Sequence, residues 1–261
     1  MDVGSAPDGE DSVSGKSDIL AALMKKLLFV FALTLTAQQR LSVNWLVRED
    51  IFAGLLGNDR ARLGSAVATL DQVAPFESQP RVLAWRFAAE MMRAVWAHED
   101  GKPTDFRRHY ALAMTYIDQC RATAKGQDSI LPPIFEGATY AVVADRLPEN
   151  LRAGAWEMSY QSYKALNQME APRLEQLPVH MKGEILAGLA LATQRTNRTA
   201  ELSSALEAVI TRLPNTPYSR AAEAWRKNPE SAAKVRIACL TCHEANTLGP
   251  LLERTHKVAA K

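Results

Sequence analysis

The feature that most limits what this chain can become is the spacing of its large apolar residues between Val43 and Lys227. Phe106, Tyr110, Ala113, Met114 and Ile117 recur at helical intervals and fall on one face. Trp85, Ala88, Met92, Val95 and Trp96 make a second stripe, and Trp156, Tyr160 and Tyr163 a third. No stretch alternates apolar and polar residues between hairpin turns, so strands are not expected. The punctuation agrees. Asp100-Gly101-Lys102-Pro103 separates two helices, with Thr104 or Asp105 placed to cap the second. Pro148, Pro178 and Pro229 stand where the first turn of a helix tolerates proline. Aromatic residues at helical spacing are first of all packing residues, so the stripes predict a core.

Two segments share a finer pattern. Leu202, Leu206, Val209 and Pro214 are spaced as Leu63, Val67, Leu70 and Pro75 are. This resembles the second helix and closing proline of a tetratricopeptide repeat, with Ala187, Gly188, Leu189 and Ala190 supplying a preceding helix that allows close approach. The full repeat signature and a constant 34-residue period are absent. The resemblance implies an all-α fold of stacked helical hairpins, a tetratricopeptide-like α-solenoid, over residues 38–227. Such stacks bury a continuous core and present a concave face to a partner.

The two ends differ from this body. Residues 1–23 carry five acids against one base, Lys16, and too little apolar surface to order themselves. At Met24 a basic Lys25-Lys26 precedes the apolar run Leu27–Leu35 and a small Ala37. That is the pattern of a signal peptide over 24–37, with residues 1–23 upstream of the true start. A buried helix behind a disordered leader is the competing reading. The run is shorter than the roughly 20 apolar residues a membrane span needs, so no transmembrane segment is expected in the mature chain. Export to the bacterial periplasm follows from this reading. Of the formal charge of +2, residues 1–23 hold −4 and Lys25 with Lys26 hold +2, which leaves +4 for residues 38–261. Without a run of like charges this mild excess gives no support to nucleic-acid binding.

The chemistry lies in the segment 228–261, at Cys239-Leu240-Thr241-Cys242-His243. Two thiols three residues apart can reach both vinyl groups of one porphyrin, and the adjoining imidazole can bind its iron. On a helix all three groups share one face. Asn228 and Pro229 could start that helix, and Ala232, Val235 and Ala238 follow at helical intervals. Random placement of three cysteines and five histidines yields this motif in roughly six of ten thousand such chains. Zinc would need two further ligands, His256 being the nearest. A Cys-x-x-Cys redox pair or a plain disulfide also fits the two thiols.

Over residues 237–247 the motif resembles that of the c-type cytochromes. The resemblance implies one covalent haem c, attached at Cys239 and Cys242, with His243 as proximal iron ligand. None of the 18 residues after His243 is a methionine, unlike small soluble cytochromes c. The position near the end suits cytochromes of the c′ type, yet Thr247 stands where those carry a basic residue. His256 is then a candidate distal ligand, brought back by the turn at Thr247-Leu248-Gly249-Pro250, and His180 or Met181 are candidates if the tail folds onto the body. His98 and His109 read as ordinary helix residues, and Cys120 as a small buried one. With no phosphate loop, nucleophile elbow or His-Glu-x-x-His pair, the chain reads as an electron-transfer protein rather than a catalyst. A protein redox partner or membrane complex, such as a multihaem reductase, is expected to dock on the helical body. A periplasmic adaptor whose haem or zinc site is structural is the alternative, and an open iron that senses gas or reduces peroxide is a weaker one.

Overall fold

The computed structural model of the chain describes Met1 and residues 43–76 and 78–229. The chain divides into two units, Met1–Ser42 and Val43–Lys261, and all helices described here belong to the second. Among the described residues there are nine α-helices and no strand: α1 (Val43–Gly57), α2 (Arg60–Val73), α3 (Gln79–Glu99), α4 (Pro103–Thr123), α5 (Leu131–Val143), α6 (Glu149–Glu170), α7 (Val179–Arg195), α8 (Thr199–Arg212) and α9 (Pro217–Lys227). Short 3-10 turns at Ala74–Phe76, Gly126–Ile130, Ala144–Arg146 and Ala171–Gln176 join several of them. The helical span Val43–Lys227 is the one the apolar spacing predicts.

Each helix packs chiefly on a sequence neighbour: α1 on α2, α3 on α4, α5 on α6, and α7 on α8 and equally on α6. The first helices of these pairs also meet, α3 touching α1 and α5, and α5 touching α7. They begin at residues 43, 79, 131 and 179, so no fixed period runs through the chain.

The turns show how the sequence sets these pairs. Gly101 and Asn197 follow α3 and α7 with φ of 68° and 57°, the left-handed conformation that glycine and asparagine adopt most readily. The next amides then reach back, Lys102 N–H donating to the Ala97 carbonyl at 2.8 Å and Arg198 N–H to the Thr193 carbonyl at 3.0 Å. These are the closing bonds of Schellman motifs, which satisfy carbonyls that a helix end leaves open. Pro103 itself is the first residue of α4, and neither Thr104 nor Asp105 caps it: Lys102 holds the N-cap without a side-chain bond. The fixed φ of proline and its missing N–H make it a better first helical residue than either polar candidate. Pro148 and Pro178 sit one residue outside α6 and α7, at their N-caps. Asn228 closes α9, its N–H donating to the Ala224 carbonyl at 3.0 Å, and the helix expected to follow it lies outside the described residues.

α3 is the centre of the fold. Residues on every side of it are buried, including Phe87, Met91, Met92 and Val95, each with no exposed surface. Its partner α4 presents only Ala113, Ile117 and Cys120 to the deep core, with Phe106, Tyr110 and Met114 half-buried beside them. Polar ties fasten successive pairs at one end. Arg60 grips Asp100 through two 2.8 Å hydrogen bonds, which hold the Asp100 carboxyl down to about 2. Arg146 grips Glu99 in the same way and also donates to the Asn58 side-chain oxygen at 3.2 Å. Among the described residues no helix is long and apolar enough to cross a membrane.

Candidate functional site

The first helices of the pairs enclose a pocket of about 280 Å³. Phe52, Leu55 and Leu56 of α1 form one wall, and Trp85 and Ala88 of α3 the floor. The turn before α5 and α5 itself add Ile130, Ile134, Phe135 and Ala138, while His180, Met181 and Glu184 come from the start of α7. Three rings fix the wall's shape. The Trp85 ring meets Phe135 edge-on with centroids 4.6 Å apart, and Phe52 packs against Trp85 at 6.1 Å. Such edge-to-face pairs hold aromatic side chains in one orientation, so the cavity is preformed.

Polar groups stand at few points around it. Arg48 lines the pocket and pairs with Glu49 at 2.7 Å. Glu184 is buried, and its carboxylate accepts a 2.5 Å hydrogen bond from the Tyr163 hydroxyl. The Tyr163 ring reaches that point through a slot between two glycines. A Cβ at Gly137 of α5 would lie 3.1 Å from the ring, and one at Gly188 of α7 would collide with it. A mostly apolar concavity with a few fixed polar groups is the usual form of a site for a flat or elongated apolar guest.

Of the histidines and methionines read from the sequence as iron ligands, two come to this pocket. Met181 is half-buried and His180 exposed, both in the first turn of α7. His98 is exposed, its ring against Phe106. The Nδ1 of His109 lies 2.6 Å from the buried Glu90 carboxylate, which also accepts from Arg93 at 2.7 Å, so His109 ties α4 to α3. Cys239, Cys242, His243 and His256 lie outside the described residues, as do the segments 1–23 (apart from Met1), 24–37 and 230–261. Cys120 is a free, fully buried thiol whose Sγ donates to the Pro80 carbonyl at 3.3 Å. Burial, followed by the nearby Glu136 and Asp128 charges, pushes it up to about 11. A thiol so placed is inert at neutral pH. Among the described residues no three His, Cys, Asp or Glu side chains gather as a metal site.

Sequence reading missed the pocket, its Glu184 carboxylate and a second buried carboxylate away from it. Glu136 of α5 is buried and takes two hydrogen bonds from Arg121 of α4, one of them at 3.3 Å. Burial nevertheless raises its pKa above the usual carboxyl value, the Arg121 charge opposing the shift. A signal for the pocket was present in the composition of α1 and α5. Leu131-Pro132-Pro133-Ile134-Phe135 is too apolar on successive residues for a helix with one face in water.

No family model matches the chain, and neither a curated protein nor a solved structure does.

Proposed function

We propose that this chain is an exported c-type cytochrome that carries one covalent haem near its C-terminus and passes electrons between protein partners, its helical body serving as the docking platform. The observation that carries the reading is the sequence Cys239-Leu240-Thr241-Cys242-His243. Cys239 and Cys242 would hold the porphyrin by thioethers and His243 would bind its iron. The haem supplies reversible one-electron chemistry, one electron accepted from a reduced partner and one delivered to an oxidised one.

The body's arrangement supports the platform half of the reading. First helices that touch one another, each with a second helix beside it, support a reading as tetratricopeptide-like stacking, an arrangement that presents a concave face. The pocket lies among those first helices, mostly apolar with Arg48 beside it, a form that suits an apolar side chain of a partner. Periplasmic location follows from the signal-like segment 24–37.

The test is an absorption spectrum of the chain expressed with a c-haem maturation system and denatured in alkaline pyridine. A reduced haemochrome band that stays with the polypeptide through acid-acetone extraction supports the proposal. A colourless protein, or colour that extracts away, overturns it. The same concave pocket favours a second reading, an adaptor whose tail carries a structural haem or zinc. Cys239→Ala with Cys242→Ala would then leave partner binding intact.

A further inference from the structure

We infer that the pocket between α1, α3, α5 and α7 binds a small primary amine with an apolar body, its ammonium held by Glu184 and Thr139. The site is built from the helical body alone and does not depend on the haem reading.

Two buried polar groups reach the cavity from adjoining helices. Glu184 of α7 is 5% exposed, and its carboxylate accepts the Tyr163 hydroxyl. The slot between Gly137 and Gly188 holds the Tyr163 ring, so the carboxylate is positioned before any guest arrives. An ionised carboxylate accepts up to about four hydrogen bonds, more than one hydroxyl supplies.

Thr139 of α5 is 3% exposed and also lines the cavity. Thr69, Thr115, Thr123 and Thr211 each turn their hydroxyl back to the carbonyl four residues earlier. Thr139 does not, and among the described residues its hydroxyl has no hydrogen-bond partner. A buried hydroxyl left unpaired costs stability, and a guest that bonds to it relieves that cost.

The rest of the wall selects the body of the guest. Phe52, Trp85 and Phe135 offer aromatic surface, which attracts cations as well as apolar groups. At about 280 Å³, with about 30 Å³ for a water-sized group, the cavity admits on the order of ten non-hydrogen atoms.

Charge complementarity decides the head group. Arg48, the cation on this wall, is paired with Glu49 at 2.7 Å. A guest carboxylate would meet Glu184 as a like charge, which opposes binding. An ammonium brings three donors and no acceptor, which suits a carboxylate and a hydroxyl oxygen together. An alcohol brings a single donor and can serve only one of them at a time.

The experiment is isothermal titration calorimetry of the full chain with phenethylamine, phenethyl alcohol and phenylacetate, three probes of similar shape and different head group. The amine should bind with a Kd on the order of 0.1 mM, as suits a ligand of this size. The alcohol should bind about tenfold more weakly, and the acid more weakly still. Glu184→Gln should weaken the amine by about tenfold and leave the alcohol within about threefold. Thr139→Val should weaken the amine by about fivefold while the thermal midpoint of the free protein holds or rises, because the lost hydroxyl was unpaired. Ala138→Leu, which keeps Glu184 and Thr139 but fills the cavity, should remove the binding of every probe. An acid that binds as tightly as the amine overturns the proposal, as does a wild type that gives no heat with the amine at about tenfold the expected Kd. Unchanged amine affinity in a folded Glu184→Gln overturns it too. If Glu184→Gln does not fold, Thr139→Val and Ala138→Leu decide: amine affinity equal to wild type in either one overturns the proposal. None of these outcomes alters the covalent haem test.

Discussion

The helices α5 and α7 face their surroundings in two opposite ways. On one side Gly137 and Gly188 let the Tyr163 ring lie against both backbones with no room for a methyl group. On the other side Ile134, Phe135, Ala138 and Met181 of the same two helices stand around an open cavity. Protein interiors pack at crystal-like density, so unfilled volume next to a filled slot reflects how side chains are distributed and not a generally loose core. The tight side fixes how closely the helices approach; the loose side is what that fixed distance leaves when no large residue is directed inward. A closed contact thus sets the width of an open one.

Breaking the closed side should have the largest effect. Gly188→Ala places a methyl inside the Tyr163 ring, and overpacking of this kind should cost about 3 kcal/mol. Thermal denaturation should show the midpoint falling by about 9 °C. An unchanged midpoint would mean that α7 can shift away from α6 freely, and the tight slot would not be what holds the pocket open. Tyr163→Phe keeps the ring and removes only the hydroxyl that donates to Glu184. A loss of about 1–2 kcal/mol is expected in urea unfolding, since a buried carboxylate loses a donor.

Much of this is legible in the sequence, but unevenly. The stripes through Trp85, Tyr110 and Tyr160 are core faces because large apolar residues at helical spacing have nowhere else to go. The all-round burial of α3 was not readable, since Ala84, Ala89 and Ala94 occupy surfaces and cores alike. Of the pocket only the apolar run 131–135 left a local trace: its wall draws on residues from Arg48 to Glu184, and no local pattern records that four helices meet. The glycines at 137 and 188 gave no signal either, because glycine within a helix reads as a propensity penalty until the ring that needs the space is known. The Cys239–His243 motif, on which the proposed haem rests, had the reverse character, a short local signal whose chemistry is read without the fold.

Two smaller effects sharpen the comparison. Glu136 adjoins Gly137 on the tight flank, and burial lifts its folded-state pKa above 4.5. The folded state then binds this proton more tightly than the unfolded state does. Stability should decline as pH rises from 4.5 through the raised value and level off above it. Glu136→Gln should abolish that part of the pH dependence, with a net change at pH 7 within about 1 kcal/mol, because Arg121 keeps its 2.6 Å bond to Asp118. Urea titrations at a series of pH values measure this, and an unaltered slope would show that Glu136 is ionised in both states. The smallest effect belongs to the open side. Ala138→Leu adds volume toward a cavity instead of a ring, and stability should stay within about 0.5 kcal/mol of wild type. A loss as large as that of Gly188→Ala would mean that the cavity wall is as tightly specified as the slot.

The sealed position of Cys120 gives the molecule its own stoichiometric label. Its thiol is shut off while the fold persists, so an alkylating reagent reaches it at the pace of global opening. Thioether linkages do not release thiols to a reductant, and the chain has three cysteines. Mass spectrometry after reduction, unfolding and alkylation would therefore find one adduct per chain where Cys239 and Cys242 hold a porphyrin, and three where they do not. A thiol outside the proposed attachment motif becomes the one that counts how much of the preparation has been matured.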